Sequence, residues 1–154
     1  MRKKGQSAME YLMTYGWAIL IIAIIFAILF IYIRPISTPE MCNSKSQIFA
    51  CEGLRITGTG NIYARITNGY YKTLKITALA CTQTGATPTY TNTNIEVGSG
   101  GYIKNIWDSS EIKCQGATPG TPYSGVLYIK YREIDAPSSV PDKVAEVIVS
   151  ATPQ

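Results

Sequence analysis

From Tyr11 to Ile33 the chain runs for 23 residues without a charge. At 1.5 Å per residue this is roughly 34 Å of helix, enough to cross a hydrocarbon core of about 30 Å. No other stretch can do so, and everything after Arg34 must be read as what this segment carries. Arg2, Lys3, Lys4 and the starting amine precede the run, and only Arg34 follows it closely. The positive-inside bias then keeps the N-terminus cytoplasmic and exports the rest. A signal anchor fits this pattern. A cleaved secretory signal fits poorly, because its apolar region spans about 7 to 15 residues and ends at a small-residue site. Tyr11, Tyr15 and Trp17 cluster near the start, as in an aromatic belt. Ala23 and Ala27 are four apart, so they share a face that permits close helix approach.

Glu10 is the odd residue. A carboxylate at the centre of a membrane helix costs on the order of 2.5 to 3.5 kcal/mol. Near the helix start the cost falls, because the side chain reaches the interface and meets the positive end of the helix dipole. Either the acid is tolerated at the membrane edge, or it pairs with a cation from another chain.

Lys4-Gly5-Gln6-Ser7-Ala8-Met9-Glu10-Tyr11, followed directly by the apolar run, resembles the processing region of a type IV pilin precursor. The KGQSxxEY form is similar to the class III signal peptides of archaeal pilins. The resemblance implies that a membrane aspartic peptidase, recognising Lys3 and Lys4, cuts between Gly5 and Gln6 and leaves the helix in place. Glu10 then becomes the fifth mature residue, where the wider family carries its glutamate. Gln6, Glu10 and Tyr11 are the implied assembly residues. Cutting exposes an amine at Gln6 and removes three cations, which makes the anchor easier to extract. In a bundle, Glu10 of one subunit can neutralise the Gln6 amine of another. Such a buried pair suits register more than net stability.

The fold expected is α+β. Residues 1–5 form a leader, 6–34 the apolar helix, 35–40 a linker and 41–154 an all-β, sandwich-like head. Pro35 and Pro39 both oppose continued helix. Beyond them the pattern turns to period two. Leu54 to Thr59 is a first strand candidate. Ile62, Ala64 and Ile66 alternate with polar partners, and Leu74, Ile76, Ala78 and Ala80 do the same. Asn68-Gly69 between these two runs predicts a tight hairpin. Thr82 to Thr93 reads as a loop, Asn94 to Val97 and Tyr102 to Trp107 as short strands, and Gln115 to Pro122 as a loop. Tyr123 to Glu133 places Leu127, Ile129 and Tyr131 on one side, and Lys143 to Ala151 places Ala145, Val147 and Val149 together. About seven short strands with Gly/Pro turns predict a β-sandwich.

Cys42, Cys51, Cys81 and Cys114 all lie beyond the helix, in the exported part. An even count there predicts disulfides. Three pairings are possible, of which Cys42–Cys51 and Cys81–Cys114 are favoured. Zinc is the competing reading, but no C-x₂₋₄-C pair exists and the chain has no histidine. That lack also removes the commonest acid–base residue, so no catalytic residue, cofactor or metal is expected. Gly98 to Gly101 lacks the Lys-Ser/Thr of a phosphate loop. Asp108-Ser109-Ser110-Glu111 and the Asp135 and Asp142 region read as polar turns rather than calcium sites. Without Arg2, Lys3 and Lys4 the chain has 11 basic and 10 acidic residues, a net +1. Nucleic-acid binding needs clustered cations and is not expected. No Asn-x-Ser/Thr sequon is present. The eleven tyrosines suit half-wet subunit contacts, although most read as ordinary strand residues.

The resemblance therefore implies a structural subunit of an archaeal type IV-like pilus. It would be membrane-bound as a precursor and extracellular once assembled, and would serve surface attachment. Its partners would be copies of itself, a prepilin peptidase, an assembly ATPase and a membrane platform. An archaellum subunit serving motility is one alternative. A tethered binding protein that does not polymerise is another.

Overall fold

The structure, a computed structural model, describes residues 4–32, 39–108 and 112–154. The leader cations Arg2 and Lys3, the linker from Pro35 to Thr38, and most of the Asp108 to Glu111 turn lie outside them. The chain divides into two compact units, Met1–Ile36 and Ser37–Gln154.

Among the described residues the first unit holds one helix, α1 (Lys4–Tyr32), of 29 residues and about 43 Å. It lacks Pro, and its long run of Ile, Leu and Ala loses little by adopting helix. The second unit, the head, holds seven strands among the described residues: β1 (Met41–Ser44), β2 (Phe49–Ile56), β3 (Ile62–Asn68), β4 (Leu74–Gln83), β5 (Thr91–Val97), β6 (Tyr123–Glu133) and β7 (Lys143–Ala151). One helical turn, α2 (Lys104–Trp107), lies between β5 and β6. The strands form an antiparallel five-stranded sheet, ordered β1-β7-β6-β4-β5, and a two-stranded ribbon, β2-β3.

One apolar cluster draws on both sheets. The ribbon contributes Ile56, Ile62 and Ile66, and the large sheet Leu79, Leu127, Ile129, Val147 and Val149, all fully buried. The Phe49 ring on β2 meets the Tyr131 ring on β6 edge-on, with centroids 5.2 Å apart. The alternation expected for β6 and β7 puts Leu127, Ile129 and Tyr131, and Ala145, Val147 and Val149, in this core.

Three local expectations are corrected. Asn68-Gly69 does not close a hairpin, because β3 pairs with β2 while β4 pairs with β5 and β6. The chain changes sheet at this point. The fully buried Asn68 amide nitrogen donates to the carbonyls of Lys72, Val97 and Gly98 at 2.9, 3.0 and 3.2 Å, and its oxygen accepts from the Tyr70 N–H at 2.9 Å. Asn68 thus fastens a corner, and Gly69 lacks the positive φ that an Asn-Gly hairpin turn requires. On β4 the register shifts between Ile76 and Ala78 against both neighbouring strands. This bulge reverses the phase, so Leu79 and Cys81 follow Leu74 and Ile76 into the core cluster in place of Ala78 and Ala80. Finally, Tyr102 to Trp107 is not a strand. Its fully buried Ile103 and Ile106 are three apart, a helical spacing, and Lys104–Trp107 forms α2.

Candidate functional site

Lys4, Gly5 and Gln6 form the first turn of α1, where backbone N–H groups have no partner within the helix. Lys3 lies outside the described residues. Glu10 follows six residues after Lys4, about 9 Å along the axis, with Tyr11 next to it. The Glu10 side chain is exposed and forms no ion pair among the described residues. Its carbonyl accepts a hydrogen bond from the Thr14 hydroxyl at 2.8 Å, a local contact that leaves the carboxylate free to point outward. The structure thus places Gln6 and Glu10 on one helix.

From Met13 to Tyr32 the helix is long and apolar enough to cross a membrane, and none of this span is buried within the chain. Trp17 and Phe30 are 71% and 78% exposed. Ile24, at mid-helix, is still 50% exposed. A soluble surface helix pairs an apolar stripe with a polar face, whereas an all-round apolar helix belongs in lipid or within a larger core. Gly16, Ala23 and Ala27 fall within about 40° of one another around the axis, a strip on which another helix can approach closely.

The head is closed by two disulfides. Cys42–Cys51 joins β1 to β2, and so links the five-stranded sheet to the ribbon, with Cα atoms 5.8 Å apart. Cys81–Cys114 joins β4 to the segment before the Gln115 to Pro122 loop, with Cα atoms 4.5 Å apart. That segment also holds the ribbon: the Cys114 N–H donates to the Gly60 carbonyl at 2.8 Å, and the Ile62 N–H donates to the Ile112 carbonyl at 3.1 Å. The Gln115 N–H donates to the Cys81 carbonyl at 3.0 Å, so this segment runs beside β4 while it also holds the ribbon, whereas Cys42–Cys51 joins the two sheets directly.

Several head charges are used locally. Lys72 reaches Glu133 and Lys45 reaches Glu146, each at 2.9 Å. The hydrogen bond from Lys72 holds the Glu133 carboxyl below the usual carboxylate range, and the same bond raises the Lys72 ammonium. Burial pushes the Tyr123 phenol up to about 12. Among the described residues no three His, Cys, Asp or Glu side chains are placed to hold a metal ion. The sequence reading did not anticipate the surface around α2, because it placed Trp107 on a strand. The three-residue spacing of Ile103 and Ile106 was the available signal.

No protein-family model, curated protein or solved structure matches this chain.

Proposed function

We propose that the chain is a structural subunit of an archaeal type IV-like pilus, built on an α1 core and displaying a sandwich-like, disulfide-pinned head. The observation that carries this reading is α1 itself: from Met13 to Tyr32 its described side chains are apolar and exposed all round. Lipid covers it in the precursor, and copies of itself cover it in the filament. The KGQSAMEY segment at its start supports leader removal between Gly5 and Gln6 by a prepilin peptidase that reads Lys3 and Lys4. An assembly ATPase and membrane platform then move the subunit out of the membrane. In the bundle, the Glu10 carboxylate faces the new Gln6 amine of a neighbour, with Tyr11 beside it. Removing one partner of a buried pair costs about 3 to 5 kcal/mol, because a lone charge stays behind.

Electron microscopy of sheared surface material, with N-terminal sequencing of its subunit, tests this directly. The expected result is filaments whose subunit begins at Gln6. Filaments lacking this protein, or recovered protein that begins at Met1, overturn it. Glu10→Ala is expected to leave cleavage intact and abolish assembly. Normal filament numbers from that variant count against the pairing.

A further inference from the structure

The head carries an open groove of about 610 Å³ that no part of the filament reading uses. It lies within the range of roughly 300 to 1,000 Å³ typical of small-molecule sites. Trp107, Tyr63 and Leu54 supply its apolar lining, and Arg55, Glu40 and Thr57 its polar groups. The groove exists because of two features of the fold. Trp107 stands at the end of α2 with 42% of its surface exposed, held there by the buried Ile106 beside it. Opposite it, β2 bulges between Glu52 and Leu54, and Gly53 takes a φ of +74° there. A Cβ at Gly53 would sit 3.9 Å from the Trp107 ring, so the glycine leaves the indole open on that side.

The lining selects among occupants. Arg55 and Glu40 are both exposed, and neither forms an ion pair among the described residues. An apolar helix laid into the groove, such as α1 of a second copy, would strip water from both charges and offer neither a hydrogen bond in return, which is costly. A strongly charged ligand gains no net attraction, because one cation and one anion offset each other. A neutral ligand with an apolar face and many hydroxyls satisfies every group present. The indole and phenol rings stack on the C–H face of a sugar ring, the guanidinium donates to hydroxyl oxygens, and the carboxylate accepts from hydroxyl protons. We propose that this groove binds a neutral oligosaccharide, with Trp107 as the stacking platform and Arg55 and Glu40 as its polar clamps. The proposal rests on the pilus reading proposed above and deepens it by naming the class of surface ligand that its head would take.

The chain has two tryptophans, Trp17 and Trp107. In the full chain carrying Trp17→Phe, held in a detergent without a sugar headgroup, Trp107 is the sole indole reporter. Cellohexaose, maltohexaose and chitohexaose are the probes. The expected result is a saturable change in Trp107 emission with at least one of them. Calorimetry should then show Arg55→Gln and Trp107→Ala each weakening that sugar by about tenfold or more, a change of about 1.4 kcal/mol. Three results overturn the proposal: no saturable change with any probe while the protein is folded, unchanged affinity in Arg55→Gln, or an emission shift that follows protein concentration without sugar. The last would assign the groove to a second copy. Assembly is scored separately. Sugar binding without filaments counts only against the pilus reading, and filaments without sugar binding count only against the groove.

Discussion

The helix and the head are built from the same aliphatic residues and present them in opposite directions. Ile24 on α1 is half exposed, whereas Ile62, Ile66 and Ile129 in the head have no exposed surface. The head satisfies its apolar groups internally through strand alternation and is pinned by two disulfides. The helix satisfies none of its own, and its stability depends on what surrounds it. A head isoleucine is covered by neighbours in its own unit, and in the pilus proposed above a helix isoleucine would be covered by lipid or by other chains.

The sharpest way to break this contrast is to open the head. Replacing Cys81 and Cys114 together with Ser removes a link that spans 33 residues. Loop-closure entropy puts the loss at about 3.7 kcal/mol, against about 2.6 kcal/mol for Cys42–Cys51, which spans nine residues. Denaturant unfolding of the full chain in detergent, followed by head tyrosine signals, checks the ranking. The reverse order would mean that the link between sheet and ribbon outweighs loop length.

A paired substitution sharpens the comparison at the next level. Leu79→Ala leaves a cavity in the fully buried core and is expected to cost the head about 2 to 5 kcal/mol. Ile24→Ala makes a cut of similar size on α1 and is expected to leave head unfolding unchanged while lowering filament yield. Equal effects of the two on head unfolding would show that the units are not independent.

The smallest effect concerns pH. Glu133 is depressed by its hydrogen bond from Lys72, so the folded state binds its proton less readily than the unfolded chain. That contribution is fully present above the ordinary value near 4.5 and is lost as pH falls through the lowered folded value. Both side chains are partly exposed, which keeps the term small. Glu133→Gln should flatten the acid limb of the stability profile slightly and leave neutral pH nearly unchanged. An unaltered acid limb would show the pair to be inert.

Much of this architecture was legible in the residues. A long uncharged run of Ile, Leu and Ala allows little but an apolar helix. Strands β6 and β7 follow their alternation from Tyr123 to Glu133 and from Lys143 to Ala151. What escaped depended on distant partners. Asn68-Gly69 is locally a hairpin signal, but the amide is claimed by the carbonyls of Val97 and Gly98, some thirty residues away. The phase change in β4 follows from its register against β5 and β6, which no local pattern encodes. The groove depends on Gly53 and Trp107, which are 54 positions apart in sequence.

The corner at Asn68 also sets a chemical clock. An Asn-Gly pair ages when the glycine nitrogen attacks the side-chain amide carbon and expels ammonia, forming a cyclic imide that water opens to an acid. Here the Gly69 N–H is bound to the Ile48 carbonyl at 2.7 Å, and the amide is held by four bonds. Attack requires the corner to open, so deamidation at this position records time spent unfolded. An aged chain is also barred from returning, because its new carboxylate would face three carbonyl oxygens where an amide once donated.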